Sequence, residues 1–236
     1  MCDPTGCVMH SPQCIHRHAL LLCYLSWRAM IDGKIDPRTH QLAQQIPIIL
    51  SQPEFEGLNL DAVEKRFFNA PVGSLNRNER TEASWLIEGM AVLSWAIGKS
   101  ELPTFHQKVD GRKASAALGI FQPDTPERIT GATIRNPDEV ESGAITYSAL
   151  SWRLSEHIKC PQTINFAEKL KDPKSPHLLV EGIELKDRDL AIDRTSLREV
   201  PTERLGEVSG IVFQRYKAFR WLLGLENGYA TLTTIN

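Results

Sequence analysis

Residues 85–97 read WLIEGMAVLSWAI, a run that is apolar on nearly every face of a helix. A helix without a polar face lies inside a bundle rather than at its surface. Gly98 follows the run and is a typical residue just beyond a helix C-terminus. The run therefore predicts a central helix that other elements surround.

Further helices are predicted before and after this central run, because apolar residues recur there at helical spacing. They cover residues 14–31, 37–46, 60–69, 137–158 and 202–222. Pro47 is expected to end or kink the second of them. The fourth should bury one stripe that runs from Val140 to Ile158.

The strand signals are few. Asp193, Arg194 and Thr195 form a turn signal between two short extended runs, which predicts a minor β-hairpin near residues 189–198. Residues 1–13 are broken by Pro4 and Pro12 and are expected to form an irregular tail. We therefore expect a mainly α fold, in which residues 14–236 form a single-domain multi-helix bundle around the buried central helix.

Composition and charge narrow the class of protein. Among 236 residues, Lys and Arg total 27 and Asp and Glu total 29, for a net charge of −2. A protein that binds phosphate backbones usually carries a basic excess. The apolar run at 19–27 is shorter than the ~20 residues that span a bilayer, and no convincing signal peptide precedes it. The five cysteines are an odd number, which does not suggest a disulfide framework. We expect a cytoplasmic protein that binds neither nucleic acid nor membrane.

Glu88 is a charged residue in the middle of the apolar central run. A buried carboxylate usually has a cationic partner, and Arg215 on the last predicted helix is the first candidate, with Arg17 the second. We therefore predict a structural buried pair of Glu88 and Arg215. The alternative is a hydrolase-like enzyme that uses Glu88 as a general acid or base, because burial raises the pKa of a carboxyl group.

The N-terminal segment holds soft and borderline metal ligands. Cys7, His10, Cys14 and His18 supply the four groups that a tetrahedral zinc site needs, although their spacing matches no standard zinc module. Such a site would make the chain a metal-binding regulatory protein. The alternative, which we favour, is that these side chains are incidental and that the protein has no cofactor.

Catalytic motifs are absent from the sequence: it holds no phosphate-binding loop, no Gly-x-Ser-x-Gly elbow and no His-Glu-x-x-His helix. Residues 99–137 are predicted to form a long irregular connection rich in Pro and Gly, with one short helix around Lys113–Leu118. A connection of this length usually has a function of its own, and we expect this one to present a surface. Trp152 lies off the main apolar stripe of its helix. It is a candidate partner contact, together with three acidic residues, Glu139, Glu141 and Glu156. The alternative for these three acidic residues is an ordinary solvated face.

Two stretches resemble the signatures of a bacterial family. RTEASWLIEGMAVLSWAIG at 80–98 resembles the pattern W-x-x-E-[GA]-x-x-V-L-x-W-A-L-G, and VFQRYKAFRWLLGLE at 212–226 resembles E-R-x-x-A-L-N-W-L-x-G. Both are signatures of the family called domain of unknown function 4272 (DUF4272). Gln214 and Arg220 depart from the second signature, where the family has Glu and Asn. The family has no established activity, so the resemblance implies a fold and not a function.

These observations favour a non-enzymatic protein-binding module. Its partner would be another protein. One specific form of this hypothesis is an immunity or antitoxin protein that neutralises a bacterial toxin domain by occlusion, which requires shape rather than catalytic residues. The enzyme centred on Glu88 and the zinc-binding regulator remain the alternatives.

Overall fold

The computed structural model describes residues 9–32, 37–56, 58–169 and 183–226, together with Tyr229. Within these residues the fold is mainly α, as the hydrophobic periodicity predicts. The helices are α1 (Pro12–Ile31), α2 (Pro37–Leu50), α3 (Ala62–Asn69), α4 (Arg77–Ser84), α5 (Leu86–Ala96), α6 (Gly111–Leu118), α7 (Thr125–Thr130), α8 (Pro137–Lys159), α9 (Phe166–Lys169) and α10 (Thr202–Leu222).

The central helix is α5, where the apolar run predicts it. Met90, Val92 and Leu93 are fully buried. α5 contacts both α1 and α10, and α10 contacts α8 in turn. The order α1–α5–α10–α8 therefore places α5 and α10 inside, and one hydrophobic core runs through all four helices.

Three local expectations are corrected by the structure. α1 begins at Pro12, inside the expected tail, because the Ser11 hydroxyl caps it by accepting from the Cys14 amide. α2 continues through Pro47 to Leu50. On α8, Ile158 is 53% exposed, whereas the neighbouring His157 is only 4% exposed, so the buried stripe does not include Ile158.

The predicted hairpin is present and is part of a slightly larger sheet. β1 (Leu185–Lys186), β2 (Asp189–Ile192) and β3 (Thr195–Ser196) form a three-stranded antiparallel sheet in that order. Both turns are Asp-Arg pairs in which the two residues have positive φ, as two-residue hairpins require. All four residues of β2 are buried, so the central strand joins the sheet to the helical core.

No helix among the described residues has the length and apolar character needed to cross a membrane.

Candidate functional site

The structure brings Glu88 and Arg215 together in the core. The Nη2 and Nε atoms of Arg215 donate to Glu88 Oε2 at 2.7 and 3.0 Å, and both side chains are about 1% exposed or less. Among the described residues, Arg17, the second candidate, is not hydrogen-bonded to Glu88. The pair joins α5 to α10 directly.

The same pair also binds backbone atoms of the long connection that follows α5. Arg215 also donates to the carbonyl oxygens of Pro103, Thr104 and Gln107 at 2.6–3.0 Å. The other carboxylate oxygen of Glu88 accepts from the Val109 amide at 3.0 Å. Neither charge is left without partners, and the network fixes residues 103–109 against the bundle.

Tyr147 on α8 completes this network. The hydroxyl oxygen of Tyr147 accepts from Arg215 Nη1 at 3.0 Å. Burial raises the pKa of the Tyr147 hydroxyl above its ordinary value, although the adjacent Arg215 acts in the opposite direction. The arrangement is typical of a structural ion pair, since both carboxylate oxygens of Glu88 and the guanidinium of Arg215 have hydrogen-bond partners in the core.

Two further buried arginines were missed by the sequence reasoning. Arg28 donates to the carbonyl oxygens of Phe67, Phe68, Ala70 and Pro71, and so closes the C-terminus of α3. Arg28 also lies 3.7 Å from Asp32, four positions later, and this i,i+4 pair was the one signal in the sequence. Nothing in the sequence marks the carbonyl oxygens, which lie about 40 positions away.

The other missed arginine joins α8 to the sheet. Arg153 forms a two-pronged ion pair with Asp189, at 2.7 Å from Nε to Oδ1 and 2.5 Å from Nη2 to Oδ2. Arg153 also donates to the Gln162 carbonyl oxygen. The only available signal was an acidic residue at the start of an apolar strand.

Two of the proposed zinc ligands, His10 and His18, contact an aromatic ring. His10 and His18 both stack on Trp221, with ring centroids 4.1 and 4.2 Å from the indole centroid. One indole face has no room for two imidazoles at that distance, so Trp221 lies between them. Cys14 is half-buried on α1, and Cys7 lies outside the described residues.

The imidazole of His18 lies beside a buried carboxylate. Its Nε2 lies 2.9 Å from Glu64 Oε1, and both side chains are buried. Among the residues that the structure describes, no group of three or more His, Cys, Asp or Glu side chains is arranged to hold a metal ion. The arrangement of His10 and His18 gives the zinc hypothesis no support, and the hypothesis stays a prediction.

A groove between α8 and α10 is the most prominent surface feature near the predicted partner-binding residues. Its volume is about 550 Å³. Six of its twelve lining residues are Ala, Ile, Leu or Phe. The groove is lined by Glu141, Ala144, Ile145, Ser148, Ala149, Trp152, Phe166, Lys169, Tyr216, Arg220, Leu223 and Leu225.

Two of the four predicted partner-binding residues meet in this groove. Glu141 and Trp152 are eleven positions apart on α8, which is three helical turns, and both line it. Trp152 is 39% exposed, a large value for an indole. Glu139 is exposed beside Arg135, with 3.6 Å between the charged atoms, and Glu156 is exposed; neither lines the groove.

The basic residues at the rim are held by neighbours. Arg220 donates through Nε and Nη2 to Glu226 Oε1, and its Nη1 lies 3.3 Å from the Tyr216 hydroxyl. The Lys169 ammonium lies 5.6 Å from the centre of the Trp152 ring, within cation–π range. These contacts place the rim side chains around an apolar floor.

The family model described as "Domain of unknown function (DUF4272)" matches residues 3–166, more than two thirds of the chain. The protein belongs to the DUF4272 family. This match contains the first signature, in α5, but ends before the sheet and α10. No curated protein and no solved structure matches the chain.

Glu88 lies within the family match, whereas its partner Arg215 lies beyond it. The backbone and side-chain oxygens of Gln214 both lie 3.1 Å from the Tyr229 hydroxyl. Arg220 lines the α8–α10 groove. Residues 212–226 lie beyond the matched region, so their resemblance to the second signature stays a prediction.

Proposed function

We propose that this DUF4272 protein is a non-enzymatic protein-binding module and that its partner occupies the α8–α10 groove. One observation carries the proposal: Trp152 lies 39% exposed beside an apolar groove of about 550 Å³. Tryptophan is enriched among the residues that dominate binding energy at protein interfaces. Exposed apolar surface that polar residues surround is typical of an interaction site.

The shape of the groove favours an amphipathic helix as the bound element. Ala144, Ser148 and Ala149 are small residues on α8, and they allow another backbone to approach closely. Leu223 and Leu225 provide apolar surface on the opposite side. A helix in a groove places its i, i+3, i+4 and i+7 side chains on such a floor and keeps its polar face outward.

The charged residues on the rim indicate which charges the partner should carry at each end. Glu141 lies on α8, whereas Lys169 and Arg220 lie near the Trp152 end and on α10 respectively. A partner helix with acidic residues beside the two cations and a basic residue beside Glu141 complements this arrangement. Rim charges of this kind affect association rate and specificity more than affinity.

The contacts of Glu88 support a non-enzymatic function over the hydrolase-like alternative. A catalytic carboxyl group needs an open side toward a substrate, whereas Glu88 is 1% exposed and holds Arg215 and the Val109 amide. Neutralisation of a toxin by occlusion is one form that a binding function would take. That specific role stays a prediction, since the groove accepts a helix from any protein of suitable chemistry.

Co-purification from native cells tests the proposal. Wild-type protein is expected to retain a partner that mass spectrometry identifies, and Trp152→Lys is expected to lose it. Ile48→Lys is the matched control, because Ile48 is a 66% exposed apolar residue on α2, outside the groove. Equal recovery of the partner by both variants, or loss in both, would contradict a site in this groove.

A further inference from the structure

A second cavity lies between α1, α2 and the connection from α6 to α7. Its volume is about 490 Å³, within the range of about 300–1,000 Å³ that small-molecule pockets occupy. It is lined by Tyr24, Gln45, Ile49, Gln52, Phe55, Phe121, Gln122, Pro123, Thr125 and Pro126. None of these ten residues is charged, in contrast to the rim of the α8–α10 groove.

Three aromatic side chains line this cavity, and the Tyr24 ring contacts the other two. The centroid of Tyr24 lies 6.3 Å from that of Phe55 and 5.1 Å from that of Phe121, and both pairs meet nearly edge to face. Tyr24 and Phe55 are buried, whereas Phe121 is 40% exposed. The Phe121 ring therefore adds an accessible aromatic surface to a fixed aromatic wall.

Phe121 is held in a backbone conformation that bulky residues rarely adopt. Its φ is +58°, in the left-handed region that favours glycine. The surroundings impose this conformation: the Phe121 amide donates to the Tyr24 hydroxyl at 3.3 Å, and the Thr125 hydroxyl lies 2.8 and 2.6 Å from the carbonyl oxygens of Gly119 and Gln122. Strain of this kind concentrates at ligand sites, where it holds a side chain ready for binding.

Three carboxamides complete the lining. Gln45, Gln52 and Gln122 each offer a donor and an acceptor side by side. Paired donors and acceptors of this kind match the edge of a nucleobase, as a glutamine that binds adenine through N6 and N7 demonstrates. Phe121, the exposed ring of the three, would supply stacking, which every base accepts on its flat face.

We infer that this cavity binds a neutral planar heterocycle of the nucleobase or nucleoside class. The absence of charge among the ten lining residues disfavours a phosphate or carboxylate as the recognised group. A proline-rich peptide would also use aromatic rings, but proline has no N–H and would leave the carboxamide acceptors unused. This site shares no residue with the α8–α10 groove, so the inference stands apart from the proposed protein partner.

Titration of the purified full chain with adenosine, followed by NMR and calorimetry, tests the inference. Adenosine is expected to bind one to one, to shift resonances of Gln45 and Phe121, and to bind no more weakly than AMP. Phe121→Gly removes the ring and relieves the strain at φ +58°, so it is expected to fold normally and to weaken binding about tenfold, as the loss of a stacking contact does.

Gln45→Ala and Gln44→Ala form a matched pair on α2. Gln45 lines the cavity, whereas Gln44 is hydrogen-bonded to His40 and does not line it. Adenosine binding is expected to weaken several-fold in the first variant and to stay within twofold of wild type in the second. A denaturation curve for each variant separates loss of a contact from loss of the fold.

Four results would overturn the inference. They are no binding of adenosine at millimolar concentration, affinity unchanged by Phe121→Gly in a folded protein, tighter binding of AMP or of an adenosine oligonucleotide than of adenosine, and displacement of adenosine by a decaproline peptide that binds more tightly. Tighter binding of AMP would assign the cavity to a phosphate-bearing ligand, tighter binding of the oligonucleotide would assign it to nucleic acid, and displacement by decaproline would assign it to a peptide.

Discussion

Two faces of α10 use their arginines in opposite ways. On the inner face, Arg215 is fully buried, and its three nitrogens donate to Glu88, to Tyr147 and to backbone carbonyl oxygens. On the groove face, Arg220 keeps about a third of its side chain exposed and is paired with Glu226 near the chain surface. The inner arginine fixes the arrangement of the helices, whereas the outer one forms a local ion pair at the rim of the groove.

The difference predicts which substitutions affect stability and which affect binding. A buried charge that loses its partner costs much more than an exposed charge, because water cannot replace the lost contact. An exposed ion pair contributes about 0–1 kcal/mol. Substitutions on the inner face should therefore unfold the protein, and substitutions in the groove should leave the fold intact.

The largest effect is expected from Arg215→Met. The variant leaves the Glu88 carboxylate buried without its cation and frees the carbonyl oxygens of residues 103–107, so the free energy of unfolding should fall by about 3–5 kcal/mol. Urea denaturation followed by circular dichroism measures this change. Glu88→Gln combined with Arg215→Met should recover part of the loss. A loss below about 1 kcal/mol for Arg215→Met alone would contradict a structural pair.

Gly89→Ala should have the next largest effect. A Cβ atom at this position would lie 1.9 Å from the Tyr229 hydroxyl oxygen, so Tyr229 must leave its buried site. The expected loss of stability is about 1–3 kcal/mol, as for overpacking of a core. Gly206→Ala is the control, because nothing lies within 4 Å of its Cβ position and alanine favours a helix. An equal response of the two variants would refute the close approach of Tyr229.

Asp189 should contribute a smaller, pH-dependent part of the free energy of unfolding. Burial alone would raise the pKa of Asp189, but the hydrogen bonds from Arg153 and from the Leu190 and Ile164 amides together bring it below the ordinary value of 3.8. The folded protein then binds this proton less tightly than the unfolded chain does. The stabilisation is therefore present above about pH 4 and is lost as the pH falls through the lowered pKa.

Denaturation curves between pH 7 and pH 2 test this dependence. The wild-type protein should lose stability over the acidic part of the range, and Asp189→Asn should lose less over the same interval, since it cannot titrate. Glu139→Gln is a control at an exposed ion pair. If the free energy of unfolding of the wild-type protein changed with pH in parallel with that of Asp189→Asn, the pKa of Asp189 would not be lowered in the folded protein.

The smallest effect on stability is expected from Trp152→Ala. The side chain lies at the edge of the groove, and its removal should change the free energy of unfolding by on the order of 1 kcal/mol or less. Partner binding should nevertheless fall at least tenfold, since an interface tryptophan often contributes 2 kcal/mol or more, at about 1.4 kcal/mol per factor of ten. Thermal denaturation together with a binding assay separates the two outcomes. A variant that unfolds like Arg215→Met would place Trp152 in the core.

The comparison also explains which features the sequence predicts. Glu88 interrupts an apolar run, so its need for a cation is visible in the sequence, and the last helix offers Arg215 beside a core stripe. Arg28 has an acidic neighbour four positions later, Asp32, but no pattern in the sequence marks the backbone carbonyl oxygens of residues 67–71 as its other partners. The stacking of His10 and His18 on Trp221 could not be predicted from the spacing of the zinc-ligand candidates, because Trp221 lies about 200 positions later.

The groove could be predicted only in part. Trp152 and Glu141 lie off the apolar stripe of α8, so their exposure follows from helical periodicity. The opposite wall comes from α10 and from Leu225. Which helices pack side by side depends on tertiary contacts, and the local sequence pattern of α8 does not show them. The strained Phe121 of the second cavity is likewise invisible, since a residue type alone does not specify a positive φ.

A photo-crosslinking amino acid at position 148 tests the central claim most directly. Ser148 lies on α8 and lines the groove, whereas Arg112 lies exposed on α6 and serves as the control position. In native cells, irradiation should give a single crosslinked protein from position 148, lost in the Trp152→Ala background, and none from position 112. No crosslink from position 148, or the same product from both positions, would contradict a protein partner in the α8–α10 groove.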